Sequence, residues 1–313
     1  MKNASFHTIL EDLKISFKFA VKNIISYILA IFGVLIISGI LLALVAAVVF
    51  TSIFFVLGGF EGLVAFFTSL ATNFEAGFTN LFVGAILIVL PLIAPFFVAI
   101  GALFGMGREI VESEGTSAEG VFTWYKKRFF SLAGGGIILF LIVIGPVILI
   151  LLAGIAVYGY DFFGYSFMAG NSNLVNTIMG ALLTVWFALS LGMLSMIFPA
   201  IIDGYSVIEA TKKSVRMSIT YFDRVFGVWI GFLLILGACF LPLIASPFVM
   251  GISEPVAIAL GTIAVPLMLI LVFIFVPALS IGLTRVYMIL TAEDEYEPPE
   301  QDEESGPSFI GGL

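Results

Sequence analysis

Seven basic residues in three short stretches are the side chains of this sequence best placed to do chemistry: Lys18; Lys126, Lys127 and Arg128; and Lys212, Lys213 and Arg216. Each stretch follows a hydroxyl residue with Glu three positions later: Thr8 and Glu11, Thr116 and Glu119, Ser206 and Glu209. That is the pattern of a capping box, which starts a helix by satisfying two orphan backbone donors. Counted from the hydroxyl, a base recurs ten residues on in every copy, at Lys18, Lys126 and Arg216. In the first copy Phe6, Ile9, Leu10, Leu13, Phe17, Ala20 and Val21 recur at helical spacing, which predicts an amphipathic helix. Such a helix can lie in a membrane interface, its apolar face in the acyl boundary and its bases toward anionic headgroups. The seven are therefore candidate headgroup ligands, each contributing about 1 kcal/mol at an anionic surface at low salt. They serve equally as basic stops that fix the threading of a membrane protein.

Other chemistries lack their residues. One histidine, His7, and one cysteine, Cys239, cannot form a clustered metal site or an intrachain disulfide. The sequence contains no phosphate-binding P-loop, no His-Glu-x-x-His and no Gly-x-Ser-x-Gly. No apolar segment carries an ionisable residue at its middle. Such residues mark proton relays and ion paths, so a proton-coupled pump and a carboxylate- or histidine-based intramembrane enzyme are both disfavoured. No catalytic residue, metal ligand or cofactor site is assigned, and the chain is expected to be non-catalytic. Asp203 and Glu209 are expected to pair with Lys212 and Lys213.

The elements that position these bases are apolar. The chain is 61% hydrophobic and 11% charged, with a mean hydropathy of +1.20, where a soluble domain carries about 25% charged residues. Segments 24–57, 80–107, 130–158, 174–202, 225–250 and 256–284 each exceed the roughly 20 residues needed to cross a bilayer. The first is too long for a cleaved signal peptide and reads as a retained anchor. All thirteen Lys and Arg residues fall in every second break, around Lys2–Lys22, Arg108–Arg128, Lys212–Arg224 and Arg285. Cationic short loops stay cytoplasmic, so both termini are expected in the cytoplasm of a cell-membrane protein. Eight acidic residues between Glu293 and Glu304 account for the net charge of −8. A tail of that composition cannot bury enough surface to fold alone.

The expected fold is all-α: a six-helix transmembrane domain over 1–292, with an acidic disordered tail at 293–313. Three repeats, about 5–107, 115–204 and 205–292, would each hold an amphipathic helix and a helical hairpin. Residues 58–80 fit one further helix outside, an interfacial helix or a re-entrant lid, through Phe60, Leu63, Val64, Phe67, Leu70, Ala71, Phe74 and Phe78. The aromatic loop Tyr158–Asn173 would anchor at headgroup level. Prolines at 91, 95, 146, 199, 242, 247, 266 and 277 predict kinks. Gly101-x-x-x-Gly105 and Gly227-x-x-x-Gly231 permit close helix approach, within the chain or across a dimer seam.

The run Asp203-Gly204-Tyr205-Ser206-Val207-Ile208-Glu209-Ala210-Thr211-Lys212-Lys213-Ser214, followed by Phe222-Asp223-Arg224-Val225-Phe226-Gly227, resembles a recurrent prokaryotic pattern. It is similar to the membrane domain attached to some glycerophosphodiester phosphodiesterases, and to related six-span families of archaea and bacteria. Arg108 to Gly115, with Phe122 to Phe130, resembles the same families' second repeat. The sequence has no soluble phosphodiesterase domain, so the resemblance implies a six-span membrane module without that activity. Two functions are carried forward. One is a non-catalytic module for membrane organisation or complex assembly, with membrane lipids and a protein on the cytoplasmic face as partners and no nucleic acid. The other is a permease for a small or lipid-like substrate, favoured by the proline-rich segments.

Overall fold

The computed structural model describes residues 5–72, 74–113, 115–158 and 174–296. Among these there are helices and turns but no strands. A short helix, α1 (Phe6–Lys22), is joined through Asn23 to α2 (Ile24–Val56). After two glycines of positive φ, Gly58 and Gly59, come α3 (Phe60–Thr72) and the long return helix α4 (Phe74–Ser113). The short α5 (Ala118–Lys127) is joined through Arg128 to α6 (Phe129–Tyr158), and α7 (Leu174–Met193) and α8 (Ile197–Asp203) return. The short α9 (Val207–Thr220) is joined through Tyr221 to α10 (Phe222–Met250). The last return is α11 (Glu254–Ile270), a π-turn (Leu271–Phe275) and α12 (Val276–Tyr296).

Six stretches are long and apolar enough to cross a membrane: Ile24–Val56, Leu90–Ser113, Phe129–Ile150, Gly180–Asp203, Phe222–Met250 and Glu254–Glu293. The reason is plain in α2, whose mean hydropathy reaches 3.0. Ile36, Phe55 and Val56 stand exposed on it, as do Leu234 and Phe248 on α10. Apolar surface on that scale is a liability in water and is matched in hydrocarbon.

The core is built from the return helices. On α4, Val98, Ala102, Met106 and Ile110 recur every fourth residue and are fully buried, the stripe a helix needs to face a partner. Helix α4 packs on both α8 and α12, and those two touch each other. Small residues permit this approach: a Cβ added at Gly107 would lie 3.0 Å from the Ser280 carbonyl oxygen of α12. Ile197, Ala200 and Ile201 of α8 and Ala278 and Ile281 of α12 complete the centre.

Each short helix docks on a span and a return helix that precede it around the bundle. Helix α5 packs on α2 and α4, and α9 packs on α6 and α8. Helix α1 packs on α10 and α12, the last pair in the chain. The Gly227-x-x-x-Gly231 pair serves this intramolecular docking, since Gly227 lies under Ile9 and Gly231 under Leu13. Gly101 and Gly105 likewise lie under Leu132 and Trp124.

Several expectations change in detail. The single helix foreseen over 58–80 is divided: α3 ends at Thr72, and Phe74 and Phe78 belong to α4. Helix α1 is capped by Ser5, whose hydroxyl accepts from the Thr8 amide, so Thr8 is already helical. The cap of α5 is Ser117, without a side-chain bond, because Thr116 donates to the Glu109 carboxylate at 2.6 Å; a charged acceptor makes the stronger bond. Only Ser206 and Glu209 form the reciprocal box. With caps at Ser5, Ser117 and Ser206, the base no longer falls at one common offset from the start. Helix α12 runs to Tyr296, past the boundary expected at 292. The loop 159–173 and the tail from 297 lie outside the described residues.

Candidate functional site

The polar chemistry of the bundle gathers at one end. Alternating chain direction brings the starts of α2, α6 and α10 beside the ends of α4, α8 and α12, with the short helices between them. A helix of mixed character placed there must resolve its charges inside the protein or at its surface, and both solutions occur.

Three carboxylates, Asp12, Glu109 and Asp203, tie helices to one another. Asp12 points inward from α1, its side chain 3% exposed. It accepts from Arg224 Nε of α10 at 3.1 Å and from Arg285 Nη1 of α12. A buried charge is tolerated only when paired, and here one carboxylate holds two guanidinium groups. Arg224 also lies 3.8 Å from Glu293. At the centre of the end, Arg108 of α4 donates to Asp203 of α8 at 2.9 Å, and Tyr287 of α12 donates to the other Asp203 oxygen at 2.9 Å. Arg108 also pairs with Glu112 one turn on. Glu109 accepts from Trp124 Nε1 at 2.8 Å, fixing α5 to α4.

The second return is interrupted between α7 and α8, and α9 repairs it. Pro199 sits in the first turn of α8, where the missing amide costs nothing. The groups freed by the break find serines: Ser214 donates to the Met193 carbonyl at 2.8 Å and accepts from the Met196 amide at 3.2 Å. Ser218 donates to Met193 at 3.2 Å. Both serines are fully buried. Gly204, with φ of 118°, ends α8 in the left-handed region, as helix C-termini often require.

The seven predicted headgroup ligands lie at this end but in unlike settings. Lys18, Lys126, Lys127, Lys212 and Arg216 are exposed. Lys127 lies 5.1 Å from the Trp124 ring centroid. Lys213 is half-buried, donating to the Tyr205 hydroxyl at 2.9 Å and lying over the rings of Tyr205 and Tyr287. Arg128 is half-buried, with its terminal nitrogen against Gly204. The salt bridges expected between Asp203, Glu209, Lys212 and Lys213 are not what forms. Asp203 is taken by Arg108 and Tyr287, and Glu209 turns back to the Ser206 amide at 3.1 Å. Ser206 holds the Glu209 carboxylate below its ordinary range, with Lys212 adding to the effect.

The apolar faces of the short helices are also shared differently than expected. Leu13, Ala20, Val121, Ala210 and Met217 are buried on protein. A one-residue joint to the following span keeps each short helix against the bundle. Phe6, Leu10 and Val21 of α1, and Ile208 and Ile219 of α9, remain exposed.

Along α9, Thr211, Lys212, Val215, Arg216, Ile219 and Thr220 line a shallow concavity of about 480 Å³. Among the described residues no group of three or more His, Cys, Asp or Glu side chains is placed to hold a metal. The residues that sequence reasoning missed are Asp12, Glu109, Arg224, Arg285 and Tyr287. One signal for Asp12 was available: it lies in the helical stripe of Ile9, Leu13, Ser16 and Ala20, where an unpaired carboxylate would be costly. Comparison of the chain with protein-family models, with curated proteins and with solved structures finds no match to any of them.

Proposed function

We propose that this protein is a non-catalytic multi-pass membrane module that organises anionic lipid, and through it partner proteins, at the cytoplasmic face of the cell membrane. The observation that carries the reading is the set of outward-facing bases at one end of the bundle, none of them in an ion pair among the described residues. Asp12, Glu109 and Asp203 are engaged in ties between helices, while Lys18, Lys126, Lys127, Lys212 and Arg216 face outward, with Glu11, Glu119 and Asp223 also exposed among them. A surface so arranged offers positive charge to a lipid layer, and among the described residues its central carboxylates, Asp12, Glu109 and Asp203, are already engaged.

The reading includes a threefold repeat of short helix, span and return. It is supported by the one-residue joints at Asn23, Arg128 and Tyr221 and by the corresponding docking of α1, α5 and α9. The resemblance of residues 203–227 to phosphodiesterase membrane domains is consistent with such a module.

The test is lipid enrichment around the full chain in mixed bilayers. A Lys18→Gln, Lys126→Gln, Arg216→Gln variant should still insert, since the apolar spans supply that energy. Its enrichment of anionic over zwitterionic lipid should fall by about 1 kcal/mol per substitution at low salt. Unchanged enrichment would contradict the reading.

A permease is the second reading. It is favoured by the interruption at Leu194–Met196 and the π-turn at Leu271–Phe275, which lie in two of the three returns. Interrupted helices line binding sites in many transporters. Facilitated flux of a small amphiphile through proteoliposomes would support it.

A further inference from the structure

Resting on the lipid reading above, we propose that the groove on α9 is a discrete site for one anionic phospholipid, with its phosphate between Lys212 and Arg216. Two stripes run side by side along the groove. Lys212, Arg216 and Thr220 form one, and Thr211, Val215 and Ile219 the other, each at a spacing of four residues. Side chains four apart on a helix are neighbours, so the two cations converge on a single anion. Both are exposed, and no ion pair engages either among the described residues. The nearest acid on the helix, Glu209, is turned back to its own cap at Ser206. The third base of the run, Lys213, is held over Tyr205 and Tyr287 and stands apart from the groove.

The second stripe decides for a lipid over a free anion. Ile219 is 64% exposed, and the helix passes through Tyr221 directly into α10, where Phe222 is 53% exposed. The groove therefore leads from cationic side chains to apolar ones at the point where the chain enters its span. A lipid phosphate would meet Lys212 and Arg216 while its glycerol and first acyl carbons cover Val215 and Ile219. Inorganic phosphate would leave that apolar surface wet.

Native mass spectrometry of the full chain in detergent, titrated with phosphatidylglycerol or phosphatidylcholine, tests this. One phosphatidylglycerol should bind per chain in preference to phosphatidylcholine. Lys212→Gln with Arg216→Gln should weaken it roughly 25-fold, from about 1 kcal/mol per base and tenfold per 1.4 kcal/mol. Ile219→Gln should weaken long-chain phosphatidylglycerol more than a short-chain form. Lys18→Gln and Lys126→Gln, which lie off the groove, should leave the affinity for the single bound lipid unchanged within about twofold, roughly 0.4 kcal/mol. Equal losses from all the bases would overturn the discrete site and leave the diffuse lipid reading standing. Absence of any preference for the anionic lipid would overturn both. Displacement by millimolar inorganic phosphate, or indifference of Ile219→Gln to chain length, would overturn the lipid assignment.

Discussion

Asp12 ties together parts of the chain that lie 212 and 273 residues apart. Neither Arg224 nor Arg285 has a comparably buried carboxylate in reach, since Glu293 is 40% exposed and 3.8 Å away. Removing the charge leaves two guanidinium groups facing each other at a half-buried site. Asp12→Asn should destabilise the folded protein by about 3–5 kcal/mol, the range for breaking a buried pair from one side, read as a lower thermal midpoint in detergent. Arg224→Met should cost less, because Asp12 keeps Arg285. Glu209 makes a pH-dependent contribution of the opposite character, small and exposed. Its folded pKa is depressed by Ser206, so its stabilisation is present above the ordinary carboxylate range and is lost as pH falls through the depressed value. Glu209→Gln should lower stability slightly at neutral pH, leave it nearly unchanged below the depressed value, and so flatten the acid limb of the stability profile.

At the scale of elements, each short helix is a clamp across a joint that the backbone does not make. Helix α9 is the clearest case, because α7 and α8 are separated by a turn whose free groups end on its serines. Ser214→Ala would leave the Met193 carbonyl and the Met196 amide without that partner. The cost of such buried groups is about 1–3 kcal/mol, and amide exchange should rise at Leu194–Met196 before it rises in α4. Helix α1 is held sterically as well as by charge. In Gly231→Val the added carbons would enter the space of Leu13, which already lies 2.6 Å from an ideal Cβ at that position. Helix α1 should then detach from α10, seen as proteolysis within Phe6–Lys22 while α2–α12 stay protected.

At the scale of the whole molecule, the sequence made the six spans legible because charged residues are few and confined to the breaks between them. The order of short and long helices was legible because polar periodicity gives way to long charge-free apolar runs at Ile24, Phe130 and Val225. The ties were not. Arg285 looks in sequence like a stop at a span end, and Asp12, although it falls in the apolar stripe of its helix, carries no sign of which base it meets. Only the docking of α1 on α10 and α12 brings them together, and no local pattern encodes contact across most of the chain. The capping hydroxyls misled at Thr8 and Thr116 because Ser5 and Ser117 compete for the same role one turn or one residue away.

The central claim is that every base lies on one side of a membrane, the cytoplasmic one, where the lipid-facing surface is formed. Single cysteines in a Cys239→Ala background test it in intact cells with an impermeant thiol reagent. Ser253→Cys, at the turn between α10 and α11, should be labelled from outside. Ser113→Cys, at the charged end of α4, should be labelled only after the cells are opened. Labelling of Ser113→Cys in intact cells, with Ser253→Cys protected, would contradict the account.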